Sequence, residues 1–235
     1  MRDWNDTQIV YGVATCEQPQ WGNCMRSWRE TATTFYPYKI VRNSEIVDAY
    51  QRIYEGSDQP IIAHLHDDLI IHEDGWDRRV LAEFENPKVG IVGFAGAPGH
   101  GHPDMYKQPY TPSSMGRVGF KSNLRNAEVH GARFTGSCEV AVIDGLAIFV
   151  RRELLDRCGG WPRKDSSPIG YFLYTEWLCC MAHRLGYTIR LVGVDCDHLG
   201  GKSTGLNPSM RVDFDAEHKW LYENMRDVLP WRVPE

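Results

Sequence analysis

The stretch Pro60-Ile-Ile-Ala-His-Leu-His-Asp-Asp-Leu-Ile-Ile-His72 constrains this chain more than any other. Its five residues Ile61 to Leu65 are too short and too β-branched for a helix and read as a buried strand. That strand ends in His66-Asp67-Asp68, so hard oxygen ligands sit at its tip, an arrangement suited to a divalent cation that carries a diphosphate. The segments before and after it alternate in type. A strand is expected at about Thr7 to Ala14, a helix at Trp21 to Thr31, a strand at Tyr38 to Val41, a helix at Glu45 to Glu55 with Ser44 as N-cap, a helix at Trp76 to Phe84 and a strand at Val89 to Phe94. Strands alternating with helices predict an α/β fold with a mostly parallel sheet and helices on both faces. In such sheets ligands bind beyond the carboxyl ends of the strands, where Thr15 and Asp67-Asp68 would lie.

From Ala95 to Ser137 the pattern dissolves into Gly, Pro, Ser and Tyr, including Gly-His-Gly-His at 99–102, and predicts a long functional loop. Regularity returns over Glu139 to Val150, in a short helix at Glu153 to Cys158 stopped by Gly159-Gly160, in a helix at Tyr174 to Leu185, and in a strand from Thr188 to Val194 that leads into Asp195-Cys-Asp-His198. With 235 residues, 42% of them hydrophobic, and no internal repeat or linker, a single domain is expected. A formal charge of −5 argues against a generally basic, nucleic-acid-coating surface. The start Met-Arg-Asp-Trp-Asn-Asp has no apolar signal region, and the longest apolar run, Val140 to Val150, is broken by Asp144 and Gly145, so the sequence predicts a soluble cytoplasmic chain. Seven scattered cysteines without a C-x-x-C pair signal neither a disulfide framework nor a thiolate zinc site.

Four pieces in order resemble a family-2-type glycosyltransferase of the GT-A fold. They are the acids after the third strand, Val142-Ile-Asp-Gly-Leu-Ala-Ile-Phe-Val-Arg-Arg-Glu-Leu-Leu-Asp-Arg-Cys-Gly-Gly-Trp161, Tyr174-Thr-Glu-Trp-Leu-Cys-Cys-Met-Ala-His-Arg-Leu-Gly-Tyr187, and His198-Leu-Gly-Gly-Lys-Ser203. The similarity spans roughly residues 8–203. It implies a donor-binding half over about 1–94, an acceptor-side half over about 95–235, a nucleotide-sugar donor with uridine diphosphate as the default, and Mn²⁺ or Mg²⁺. By the resemblance Asp68 is the metal-binding acid, Asp67 its partner, and His198 a further metal ligand. Thr15 and Glu17, in the turn after the first strand, and Asn43, after the second, would contact the donor. Asp144, in the catalytic site, would hydrogen-bond sugar hydroxyls, and Gly145, on the cofactor-binding side, would permit close approach of the backbone. Read on its own, Asp144 can also be a turn acid capping backbone amides.

The chain departs from the family in two places. The Glu-Asp pair that starts the catalytic helix falls here on Tyr174-Thr175, so Glu176 is the carboxylate left for the base. After the second strand Arg42-Asn43-Ser44 stands where Asp-Asn-Gly-Ser is usual, which leaves the donor's base open. For the acceptor, Arg117, Lys121, Arg125 and Arg133 face one acid, Glu128, in the long loop. Such a cationic stripe would suit a polyanion, and the resemblance includes enzymes that glycosylate hydroxymethylated DNA bases, so modified DNA stands beside a glycan as acceptor. Two other readings remain. His64-x-His66-x-Asp68 begins the H-x-H-x-D-H motif of metallo-β-lactamase-like hydrolases, although Leu69 replaces the final His, and the missing Glu-Asp pair fits a non-catalytic nucleotide-sugar or glycan-binding module.

Overall fold

The computed structural model describes residues 8–15, 19–125, 131–163, 165–200 and 214–234. It opens with β1 (Ile9–Thr15), α1 (Trp21–Thr31), β2 (Tyr38–Arg42), α2 (Ile46–Glu55), β3 (Ile61–Leu65), β4 (Leu69–Ile71), α3 (Trp76–Phe84) and β5 (Val89–Gly93). These elements follow the sequence pattern closely because pattern and burial agree. β3 is buried at every position, and α2 buries one stripe of Val47, Ala49, Tyr50 and Ile53. Ser44 is not the cap expected of it. Asn43 takes a left-handed φ of 50°, and the chain reaches α2 through an extended Glu45 that makes no side-chain cap.

The main sheet has seven strands in the order Ser137–Val140, Thr188–Val192, β5, Ala147–Arg151, β3, β1, β2. Five run in one direction. Ala147–Arg151 lies antiparallel between β3 and β5, and Ser137–Val140 is an antiparallel edge. Successive strand residues face opposite ways, so the sheet builds two cores. Ile9, Tyr11 and Val13 of β1 with Ile61, Ala63 and Leu65 of β3 pack against α1 and α3. Val10 and Ile62 face the opposite core, formed with α2, α4 (Arg152–Cys158) and α5 (Tyr174–Arg184). Helices thus cover both faces, as expected for an α/β fold. No described helix is long and apolar enough to cross a membrane.

The segment after β5 corrects the expectation of an irregular loop. Ala95–Ala97, Lys121–Ser122, Ala132–Arg133 and Val142–Ile143 form a second sheet, and Gly99–His100 pairs with Arg117–Val118 on one side and Trp231–Arg232 on the other. His100 is fully buried there. Its partner strand lies more than a hundred residues away, so no local periodicity announces the pairing. A helix at Phe214–Asn224, which the sequence pattern did not suggest, packs Leu221 and Tyr222 into the same core as α5.

β4 returns the chain from the acidic turn and pairs antiparallel with Cys196–His198, His198 opposite Leu69. Trp28 of α1, fully buried, donates from Nε1 to the Leu69 carbonyl at 2.7 Å and fixes this two-stranded sheet against α1. Trp28→Phe leaves that carbonyl unsatisfied and should cost about 1–3 kcal/mol. For a chain of this size that is a fall of very roughly 2–10 °C in Tm by calorimetry, whereas an unchanged Tm would show that the contact contributes nothing.

Candidate active site

β3 ends at Leu65, and residues 66–68 turn into β4. The turn separates its side chains. Asp67 Oδ2 accepts a hydrogen bond from Thr15 Oγ1 at 2.7 Å, both groups buried, which ties the end of β1 to the turn. Asp68 points the other way, with Oδ1 3.3 Å from His198 Nε2 and 4.0 Å from His66 Nδ1, and those two ring nitrogens are 3.4 Å apart. One ligand atom from each of His66, Asp68 and His198 lies within 4.8 Å of the others. Asp68 Oδ1 is buried and finds no directed hydrogen bond among the described residues. Two imidazole nitrogens and an orphaned carboxylate oxygen fit a divalent cation.

The charges are tuned to match. Burial pushes the Asp68 carboxyl up, but His198 and His66 outweigh it and hold the group below its ordinary range. Burial pulls His198 down, and Asp68 more than restores it. His66 is lowered, by burial first and then by His198. Asp67, expected as the second metal acid, is instead the partner of Thr15. His66, not among the expected metal residues, lies with Asp68 and His198 instead, and the signal for it was the His66-x-Asp68 spacing. His64 lies apart from the cluster. Its fully buried ring packs 3.9 Å from Tyr50 and edge-on to Trp161 at 5.1 Å, and burial pushes it down to about 3. Period-two alternation ends with β3, so the H-x-H-x-D pattern does not gather its two histidines at one ion.

Beside the cluster stand two more acids and one guanidinium. Arg117 donates to Asp144 Oδ2 at 2.5 Å and, from Nε and one terminal nitrogen, to Glu176 Oε1 at 3.1 and 2.6 Å. Asp144 Oδ1 accepts the Leu146 amide at 3.1 Å, so Asp144 is both a turn cap and an ion-pair partner. Burial would raise its carboxyl, but Arg117 holds it at about 2, with smaller help from His198 and His66. Glu176 differs. Its Oε2 is buried without a hydrogen-bond partner among the described residues.

Tyr174 and Thr175, standing where the family has its Glu-Asp pair, are both buried. The Tyr174 hydroxyl lies 3.0 Å from His66 Nε2 and orients the ring whose Nδ1 faces Asp68. Burial raises the Tyr174 phenol well above its usual range, so it stays neutral. A Cβ on Gly145 would overlap that hydroxyl, and this contact requires the glycine. On the donor side the Asn43 amide bonds the Thr15 carbonyl at 3.1 Å, which joins the ends of β1 and β2, while Glu17 lies outside the described residues.

The expected cationic stripe is not a stripe. Arg117 is half-buried between acids, Arg125 makes a two-pronged pair with Asp195 at 2.8 and 2.7 Å, Arg133 donates to Asn123 at 3.1 Å, and Lys121 lies over the Phe134 ring at 5.6 Å. With Arg117 and Arg125 each paired to acids, the four cations do not form one stripe free to grip a polyanion, and the expectation of a DNA acceptor loses its basis.

The glycosyltransferase-like family matches over residues 28–189, well over half of the chain. No curated protein sequence matches significantly. Among solved structures, GalNAc-T7 with UDP, GalNAc and Mn²⁺ superposes on 94% of this chain and 48% of its own, with a TM-score of 0.62 and 10% identity. The mannosyltransferase PcManGT from Pyrobaculum calidifontis, in complex with GDP-Man and Mn²⁺, covers 85% of this chain and 63% of its own, with a TM-score of 0.52 and 13% identity. A197 from STIV covers 83% of this chain and 87% of its own at a TM-score of 0.48 and 15% identity. The chain therefore spans about half to two thirds of the two transferases it resembles.

Arg117→Met should destabilise the fold by about 2–3 kcal/mol, below the ~3–5 kcal/mol of a fully buried pair because Arg117 and Asp144 keep a quarter of their side chains exposed. Asp144 titrates below its unfolded value, so its share of stability is present above the ordinary carboxylate range and is lost as pH falls toward about 2. Without Arg117 its carboxyl titrates higher, and acid unfolding followed by circular dichroism should begin at higher pH. An unmoved acid midpoint would contradict the pairing.

Proposed function

Since this chain belongs to the glycosyltransferase-like family and has the GT-A fold, we propose that it is a metal-dependent inverting enzyme that moves a sugar from a nucleotide diphosphate to a hydroxyl of a glycan. The observation that carries this reading is the convergence of His66, Asp68 and His198 beside Asp144 and Glu176 at one end of the sheet. Sugar nucleotide and Mn²⁺ in the PcManGT complex, and UDP with Mn²⁺ in that of GalNAc-T7, support it. Uridine diphosphate is the expected donor nucleotide. The donor half is residues 1–94, with Thr15 and Asn43 at its strand ends, and the acceptor half is 95–235.

His66, Asp68 and His198 would hold the cation. When bound, it neutralises the negative charge that develops on the departing diphosphate. Two imidazoles among three ligands favour Mn²⁺ over Mg²⁺, which prefers an all-oxygen shell. Asp67 and Thr15 hold the turn that presents Asp68. Glu176 is the better base of the two acids, because Arg117 anchors Oε1 and leaves Oε2 to accept a proton. Asp144 has both oxygens engaged and a carboxyl held near 2, which suits it to orient rather than to deprotonate. In a single displacement the acceptor oxygen bonds to the anomeric carbon from the face opposite the diphosphate. The carbon–oxygen bond to the diphosphate breaks with its electron pair on the phosphate oxygen, and the acceptor proton goes to Glu176. The configuration inverts.

Two substitutions test the parts separately. Asp68→Ala should abolish transfer and weaken UDP binding only when Mn²⁺ is present, because the acid acts through the cation. Equal UDP affinity of wild type and variant with Mn²⁺, measured by calorimetry, would remove Asp68 from the metal site. Glu176→Gln keeps size and donor affinity but removes the proton acceptor, so kcat should fall by about 10²-fold or more. Near-normal turnover would move the role to Asp144.

A further inference from the structure

The base sits in the first turn of α5, and that turn has no cap of its own. Leu173 occupies the N-cap position and makes no side-chain hydrogen bond to the helix. The anion comes from elsewhere in the chain. Glu217, in the C-terminal helix and 3% exposed, accepts four backbone amides with its two oxygens, Gly170 and Tyr171 at 3.2 and 3.1 Å on Oε1, Phe172 and Leu173 at 3.2 and 2.9 Å on Oε2. A buried carboxylate bound by four amides is a stiff joint, since charge-assisted bonds are the strong ones and any shift leaves charge unpaired. The next three residues are Tyr174, Thr175 and Glu176.

The same helix also holds the segment that carries Arg117. Tyr222 donates to the Met105 carbonyl at 3.1 Å, and Tyr106 donates to the Tyr222 carbonyl at 3.1 Å. Farther on, Trp231 pairs with His100, next to the Arg117 strand, and stacks on His183 of α5 at 4.1 Å. Both halves of the Arg117–Glu176 pair are therefore held by residues 214–232, which lie beyond the family match at 28–189.

We propose that Glu217 is a positioning residue for the transfer reaction. Its carboxylate sets the first turn of α5, so that Glu176 meets Arg117 in the geometry that proton transfer needs. The proposal rests on the reading of Glu176 as base. A base displaced by a fraction of an ångström to one ångström loses rate while donor binding at β1 and β3 persists.

Glu217→Gln keeps the shape but replaces two of the accepting lone-pair directions with N–H donors that face amides. It should lower kcat by about 10- to 10²-fold with UDP affinity in Mn²⁺ unchanged. In the Glu176→Gln background the same change should add nothing to the loss of kcat, because it acts through Glu176. Glu217→Ala, if folded, should regain rate in molar-range formate, which can occupy the four amides. Full kcat in Glu217→Gln would overturn the proposal, and so would a loss that multiplies undiminished with that of Glu176→Gln. Failure of Glu176→Gln alone to slow turnover would instead overturn the base assignment, whatever Glu217 does. Should Glu217→Ala not fold, the Gln variant and its double mutant decide the matter.

Discussion

Four carboxylates meet at one end of the sheet, and one guanidinium is the only permanent cation among them in the described residues. Asp67, Asp68 and Glu176 are each less than a tenth exposed, and Asp144 keeps about a quarter of its side chain in contact with solvent. Buried charge without a partner is costly, so the surrounding structure is arranged to match each one. Thr15 serves Asp67, Arg117 serves Asp144 and half of Glu176, and His198 with His66 stands beside Asp68. Two buried oxygens accept no directed hydrogen bond among the described residues, Asp68 Oδ1, which lies 3.3 Å from His198 Nε2, and Glu176 Oε2. One lies where a cation would complete the charge balance, the other where a proton would.

Holding that arrangement requires rigidity on several sides. The floor is an aromatic stack of Tyr50, His64, Trp161 and Tyr174, with Tyr50 5.6 Å from Tyr174 and Trp161 6.1 Å from it. His64, kept neutral by burial, acts there as a ring to pack against rather than as a ligand. One wall is the two-stranded sheet of β4 with Cys196–His198, where Leu199 donates to the Asp68 carbonyl at 3.0 Å and His72 meets Asp197 at 2.7 Å. The other is α5, set from behind by Glu217. The acids are thus placed by three distant parts of the chain at once.

Much of this was legible in local pattern. β3, α1 and α3 matched their expected bounds because a buried strand and an amphipathic helix write their burial into nearest-neighbour spacing. The motif order resembling a GT-A transferase was legible for a similar reason, since strand-tip acids and the helix after Gly159-Gly160-Trp161 are local words. Asp68 and His198 do face each other as that resemblance implied. Other parts were not legible. Nothing around residues 99–102 says that Trp231 will cover His100, and nothing around Glu217 says that it will bind the amides of 170–173.

The amino-acid sequence by itself determined the α/β class, the succession of elements in the first half and the kind of ligand atoms at the tip of β3, because those follow from periodicity and side-chain chemistry within a few residues. Tertiary structure alone decided which of the neighbouring groups act together. It paired Asp67 with Thr15 and brought His66 and His198 beside Asp68. It turned an apparent cationic stripe into internal ion pairs by bringing Asp144, Glu176 and Asp195 against Arg117 and Arg125. The physical reason is that a charge is defined by its surroundings: its solvation, its partner and its freedom to bind something else depend on groups that only folding brings within a few ångströms.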